Sequence, residues 1–166
     1  MKIYFILVSL VGFAGCRLFY KKEAPLILVS GTHPVRPGWT KKEVWEQENL
    51  IFFAGASTYR ESEAKAKEEA ISNVVKFLLG YAGLKDGEET LELFHKDLTP
   101  KIITALKRKE KGPYGVVMSD FYLEKYIVRK TKKPCYKGYI QLQFPLPQWL
   151  ELRSYVRATI APKYHK

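Results

Sequence analysis

"IFFAGASTYRESEAKAKEEAISNVVKFL", Ile51–Leu78, carries the pattern that decides the fold. Its first part, within "NLIFFAGAS" (Asn49–Ser57), is dense in aromatic and apolar residues and reads as a buried strand. Gly55 and its small neighbours permit a tight turn or close packing. Ala70, Ile71, Val74, Val75, Leu78 and Leu79 then recur at helical spacing, with Glu61, Lys65, Glu68, Glu69, Asn73 and Lys76 opposite. Thr58-x-x-Glu61 fits a capping box, and Ser62 is a rival N-cap. Glu61 with Lys65, and Glu63 with Lys67, have the favourable order for pairs four residues apart. Ala64, Ala66 and Ala70 let the helix approach a sheet closely, and "GYAG" (Gly80–Gly83) ends it. A strand, a glycine turn and a helix can cradle a phosphate on helix N–H groups. This stretch lacks both the G-x-G-x-x-G and the G-K-[ST] signatures. Glu61 and Glu63 would repel an anion while favouring the helix dipole. The stretch is core architecture.

Downstream, "EETLELFHKDL" (Glu88–Leu98) predicts a short helix, and Thr99-Pro100 reads as N-cap and N1 of another running to about Lys109. "VVMSDFYLEKYIVR" (Val116–Arg129) and "CYKGYIQLQFPL" (Cys135–Leu146) alternate around "KTKKP" and predict a hairpin. "PQWLELRSYVRATI" (Pro147–Ile160) predicts a C-terminal helix with Trp149, Leu152, Val156 and Ile160 as its stripe. Together these predict an α+β domain over residues 37–166, an antiparallel sheet with helices on one face. Residues 16–36, with Pro25, Gly31 and Pro34, read as a tether in which "PLILVS" fits a short strand.

The chain of 166 residues carries 28 Lys+Arg against 17 Asp+Glu, a net charge of +11 that attracts anionic partners. Nucleic acid is not expected, because no basic block is interleaved with stacking aromatics. "LKRKEK" (Leu106–Lys111) is a dense basic run and suits a helix C-terminus. His33, His95 and His165 show no metal-ligand spacing, so neither a metal nor a cofactor is expected. Ser57 follows a strand as a nucleophile elbow's serine would, but "GAST" is not G-x-S-x-G. Asp120 and Glu124 fall on one strand face beside Tyr122 and Tyr126, which leaves an unrecognised carboxylate site as the enzymatic alternative.

"MKIYFILVSLVGFAGC" (Met1–Cys16) has a basic start at Lys2 and an apolar run too short to span a membrane comfortably. "FAGC" (Phe13–Cys16) resembles a bacterial lipobox, with Ala14 and Gly15 at its small positions and Phe13 where leucine is usual. The resemblance implies that residues 1–15 are a signal peptide and that Cys16 becomes a lipid-modified N-terminus. Two or three acyl chains, at about 0.8 kcal/mol per buried CH₂, then hold the protein on a bilayer. Cys16 and Cys135 are the two cysteines. A disulfide between them is possible on counting, but acylation of Cys16 leaves Cys135 a free thiol. In the sorting pattern of the lipoproteins that this N-terminus resembles, an aspartate after the cysteine implies inner-membrane retention, so Arg17 implies the outer membrane.

With this N-terminus, "PGW" (Pro37–Trp39), "FFAGAS" (Phe52–Ser57), "SEAKAKEEAISNVV" (Ser62–Val75), "YLEKYI" (Tyr122–Ile127) and "YKGYIQLQFP" (Tyr136–Pro145) resemble the bacterial lipoprotein family typified by a twenty-kilodalton outer-membrane lipoprotein. A related module forms the N-terminal region of the flagellar assembly protein T. The resemblance covers most of residues 37–150. It implies a helix packed on an antiparallel sheet and a membrane anchor, and supplies no catalytic residues. The expectation is a non-catalytic, lipid-anchored envelope protein facing an envelope protein or an anionic cell-wall polymer; a flagellum- or cell-wall-associated assembly factor is the alternative. The candidate binding surface is a basic, tyrosine-rich sheet face of Tyr122, Lys125, Tyr126, Arg129, Tyr136, Lys137 and Tyr139; cross-strand packing is the competing role for these aromatics.

Overall fold

The computed structural model describes residues 25–83 and 89–160, so the lipobox and Cys16 lie outside the described residues. Five strands, β1 (Leu26–Gly31), β2 (Val44–Gln47), β3 (Leu50–Ala56), β4 (Val117–Val128) and β5 (Pro134–Pro145), form one antiparallel sheet in the order β1-β4-β5-β3-β2. Three helices accompany it: α1 (Glu63–Ala82), α2 (Glu89–Arg108) and α3 (Leu146–Ile160). The α+β class with an antiparallel sheet is as predicted.

Strand alternation sorts the side chains onto two faces. The inner face carries Ile51, Phe53, Ile140, Leu142 and Phe144, all buried against Val74, Leu78 and their neighbours on α1. Leu98, Ile102 and Leu106 of α2, and Trp149, Leu152 and Val156 of α3, complete the same core. Trp149 packs on Phe53 and Phe144, with ring centroids 4.8 and 5.8 Å away. Such pairs contribute about 0.5–1.5 kcal/mol beyond area burial.

Gly55 settles how α1 meets the sheet. A Cβ there would lie 2.6 Å from Val74 Cβ and 2.9 Å from the helix backbone. Its role is therefore the close approach of strand to helix. Gly138 does the same on β5, where a Cβ would meet the Ala66 carbonyl oxygen at 3.1 Å.

Of the two rival caps, Ser62 is the N-cap of α1, its Oγ accepting from Lys65 N at 3.3 Å. Thr58 instead donates from its backbone N to Glu69 Oε2 at 2.9 Å. The Glu61–Lys65 pair forms, whereas Lys67 lies over the Phe121 ring rather than on Glu63. Gly83, at φ +119°, closes the helix in the left-handed conformation that glycine adopts freely.

Two expectations are corrected, and one strand is added. The break at Thr99-Pro100 is absent: α2 runs through Pro100 as one helix. Leu98, Ile102 and Leu106, spaced four apart and buried, hold the helix across the roughly 3 kcal/mol that an interior proline costs. The short strand expected at Pro25–Ser30 forms, but as β1 of the sheet rather than part of a tether: it is hydrogen-bonded along β4 with Leu26 opposite Val128, so the folded unit includes residues before 37. Strand β2 was not expected. It pairs with β3 through a two-residue turn in which Glu48 and Asn49 have φ +49° and +66°, the sign pattern of a hairpin turn without its usual glycine.

Candidate functional site

Because β1 and β2 occupy opposite edges of the sheet, the chain between them crosses the outer face. This strap begins at Thr32, whose N donates to Leu123 O at 2.9 Å. Two latches fasten it. Arg36 Nε donates to Glu124 Oε1 at 2.6 Å, with its Nη2 2.5 Å from the same oxygen. Trp39 Nε1 donates to Asp120 Oδ2 at 2.9 Å.

Glu124 is the centre of the outer face and is 0 % exposed. Its Oε2 accepts from the hydroxyls of Tyr126 at 2.7 Å and Tyr139 at 3.1 Å. The Tyr122 hydroxyl reaches Oε1 at 3.4 Å. Gly31 makes room for that hydroxyl, since a Cβ there would lie 2.5 Å from it. The residue across the ladder from Glu124 is Lys137, yet Lys137 turns over the rings of Tyr59 and Tyr139. The counter-charge comes from Arg36 on the strap, which also lies 5.4 Å from the Tyr139 ring centre.

Electrostatics follow the packing. Burial, then the hydrogen bond and charge of Glu124, push the Tyr126 hydroxyl far above the ordinary tyrosine range. Burial and then the charge of Glu124 do the same to Tyr139 and raise Tyr122. All three phenols stay protonated and donating. With both carboxylate oxygens occupied, this arrangement is a closed hydrogen-bond network that fixes the strap to the sheet.

The seven residues of the expected surface do not share one exposed face. Tyr122, Tyr126 and Tyr139 are on the outer face and buried around Glu124. Tyr136 is three residues from Tyr139 and so lies on the opposite face, with Lys125 Nζ 6.0 Å from its ring centre. The backbone of Tyr136 is bridged to Arg60. Arg129 is exposed at the start of the β4–β5 turn, its N donating to Pro25 O at 3.1 Å. Cys135 is a buried free thiol, pushed above its ordinary pKa by burial.

The carboxylates of the enzymatic alternative are separated in use. Asp120 lines a groove of about 300 Å³ with Lys67, Lys109, Met118, Ser119 and Phe121, and Glu124 is not among its walls. Ser57 is buried, and its Oγ accepts from Gly138 N at 2.9 Å. Among the described residues no group of three ligating side chains could hold a metal, and no helix is long and apolar enough to cross a membrane.

Sequence reasoning missed Arg36 as a site residue. It placed Glu124 between two tyrosines on one face, and that alternation, Tyr122-x-Glu124-x-Tyr126, was the available signal of a buried carboxylate. The chain matches no protein-family model, no curated protein and no solved structure.

Proposed function

We propose that this chain is a lipid-anchored cell-envelope protein whose α+β domain is a non-catalytic binding or assembly module. The observation that carries the reading is "FAGC" at Phe13–Cys16, placed after a basic start and an apolar run. Kinship with the twenty-kilodalton outer-membrane lipoproteins, and a place on the outer membrane, belong to the same proposal. The use made of Glu124 supports a binding role over a hydrolytic one: its charge is spent on Arg36 and its remaining valences on tyrosine hydroxyls. The net charge of +11 favours an envelope protein or an anionic cell-wall polymer as the partner of the module.

Mass spectrometry of the N-terminal peptide from native membranes tests the anchor. The expected result is a peptide beginning at Cys16 and carrying a diacylglyceryl thioether. A free Cys16 thiol, or retention of Cys16→Ser in the membrane pellet with unchanged mobility, would overturn it.

A further inference from the structure

Pro25, the first described residue, lies beside a strongly basic loop. Pro25 O accepts from Arg129 N at 3.1 Å, and Leu26 sits opposite Val128, where β4 turns into β5. That turn contains Arg129, Lys130, Lys132 and Lys133, all exposed, and none forms an ion pair among the described residues. Next to it the edge strand β1 shows Ile27, Leu28 and Val29 at 42, 53 and 51 % exposure. Four cations thus border three exposed apolar side chains at one end of the sheet.

We propose that this patch, the exposed side chains of β1 together with the β4–β5 turn, docks on an anionic phospholipid surface. The inference rests on the lipid anchor proposed above. Cys16 precedes Leu26 by ten residues, at most about 35 Å of extended chain, so an acylated Cys16 keeps this end of the domain near the bilayer. Cations clustered beside a membrane attachment point are drawn to anionic headgroups, each strengthening association about fivefold. The apolar trio supplies the shallow insertion that charge alone lacks. A protein strand adding to the free edge is the rival occupant. The ladder of β1 argues against it, because a register shift between Leu28 and Ser30 interrupts the edge that an added strand would need.

Hydrogen–deuterium exchange on the full chain, isolated from membranes with its own N-terminus and reconstituted in vesicles, tests the docking. In phosphatidylcholine containing phosphatidylglycerol, amides of residues 26–31 and 129–133 exchange at least about tenfold more slowly than in phosphatidylcholine alone. Raised salt abolishes the difference. So does a variant with Arg129→Gln, Lys130→Gln, Lys132→Asn and Lys133→Gln, and if that variant misfolds the salt series on the unaltered chain decides alone. Equal exchange in the two vesicles overturns the docking. Protection that persists in neutral vesicles or at high salt also overturns it and assigns the edge to a protein or a second copy. The N-terminal mass separately reports the anchor, so an acylated protein without lipid-dependent protection refutes the docking alone.

Discussion

Arg36 and Glu124 are joined by a 2.6 Å hydrogen bond across 88 residues of sequence, and the pair ties the strap to the centre of the sheet. Removing one partner of a buried pair strands the other. Arg36 is 41 % exposed at its side chain, so water compensates in part. Arg36→Ala should therefore cost about 2 kcal/mol rather than the larger figure for fully buried pairs. Arg36→Lys restores only part, because an ammonium cannot reproduce two guanidinium contacts. A double-mutant cycle with Glu124→Gln, followed by urea unfolding, should give a coupling of about 1–2 kcal/mol. Additive losses would show that the pair contributes nothing.

The same network predicts an alkaline limit. Tyr126, Tyr139 and Tyr122 are raised in the folded state, first by burial and then by Glu124. The folded protein holds protons that the unfolded chain releases near pH 10, so this stability is complete below about pH 10 and falls as pH rises above it. Phenolate absorbance should show these three tyrosines ionising late, together with loss of circular dichroism. Ionisation of every tyrosine in one early wave, with the fold intact, would contradict the buried cage.

At Gly55 the margin is steric. Gly55→Ala places a methyl 2.6 Å from Val74 Cβ and against helix backbone that cannot yield. The expected loss is about 2–3 kcal/mol, at the costly end of overpacking. Gly38→Ala is the control, since a Cβ there would meet nothing within 4 Å, and thermal melts of the two variants make the comparison.

The start of α1 gives an acid limb. Glu69 is held below the ordinary carboxylate range, first by its hydrogen bond from Arg60 and then by those from Thr58. A depressed folded value means that its contribution is present above the unfolded value near pH 4 and disappears as pH falls further. Glu69→Gln should flatten this part of the stability profile and cost roughly 1 kcal/mol at neutral pH, allowing for solvent screening. Ser62→Ala should cost about 0.5–1 kcal/mol through the lost cap and leave the acid limb unchanged.

The β4–β5 hairpin, α1 and α3 are legible in the sequence because long runs of alternation or helical spacing leave little choice of face. Strand β2 is not, because four residues give too short a pattern and its Glu48–Asn49 turn lacks the glycine that marks such turns. Strand β1 is legible as "PLILVS", but its place in the sheet is not, because an edge strand with Leu28 and Val29 exposed shows no buried face to read. The tyrosines suggest one surface by their number, but their parity divides them. Tyr136 and Tyr139 are three apart and must point to opposite sides of a regular strand. Arg36 is illegible in principle: nothing within ten residues of it hints at a carboxylate 88 positions away.

The pairing of β1 with β4 also orders events in time. Strand β1 is made early in synthesis, yet its partner does not exist until residue 128 has been added. Strap and edge must wait for some ninety further residues, so closing this side of the sheet is a late, long-range step in folding.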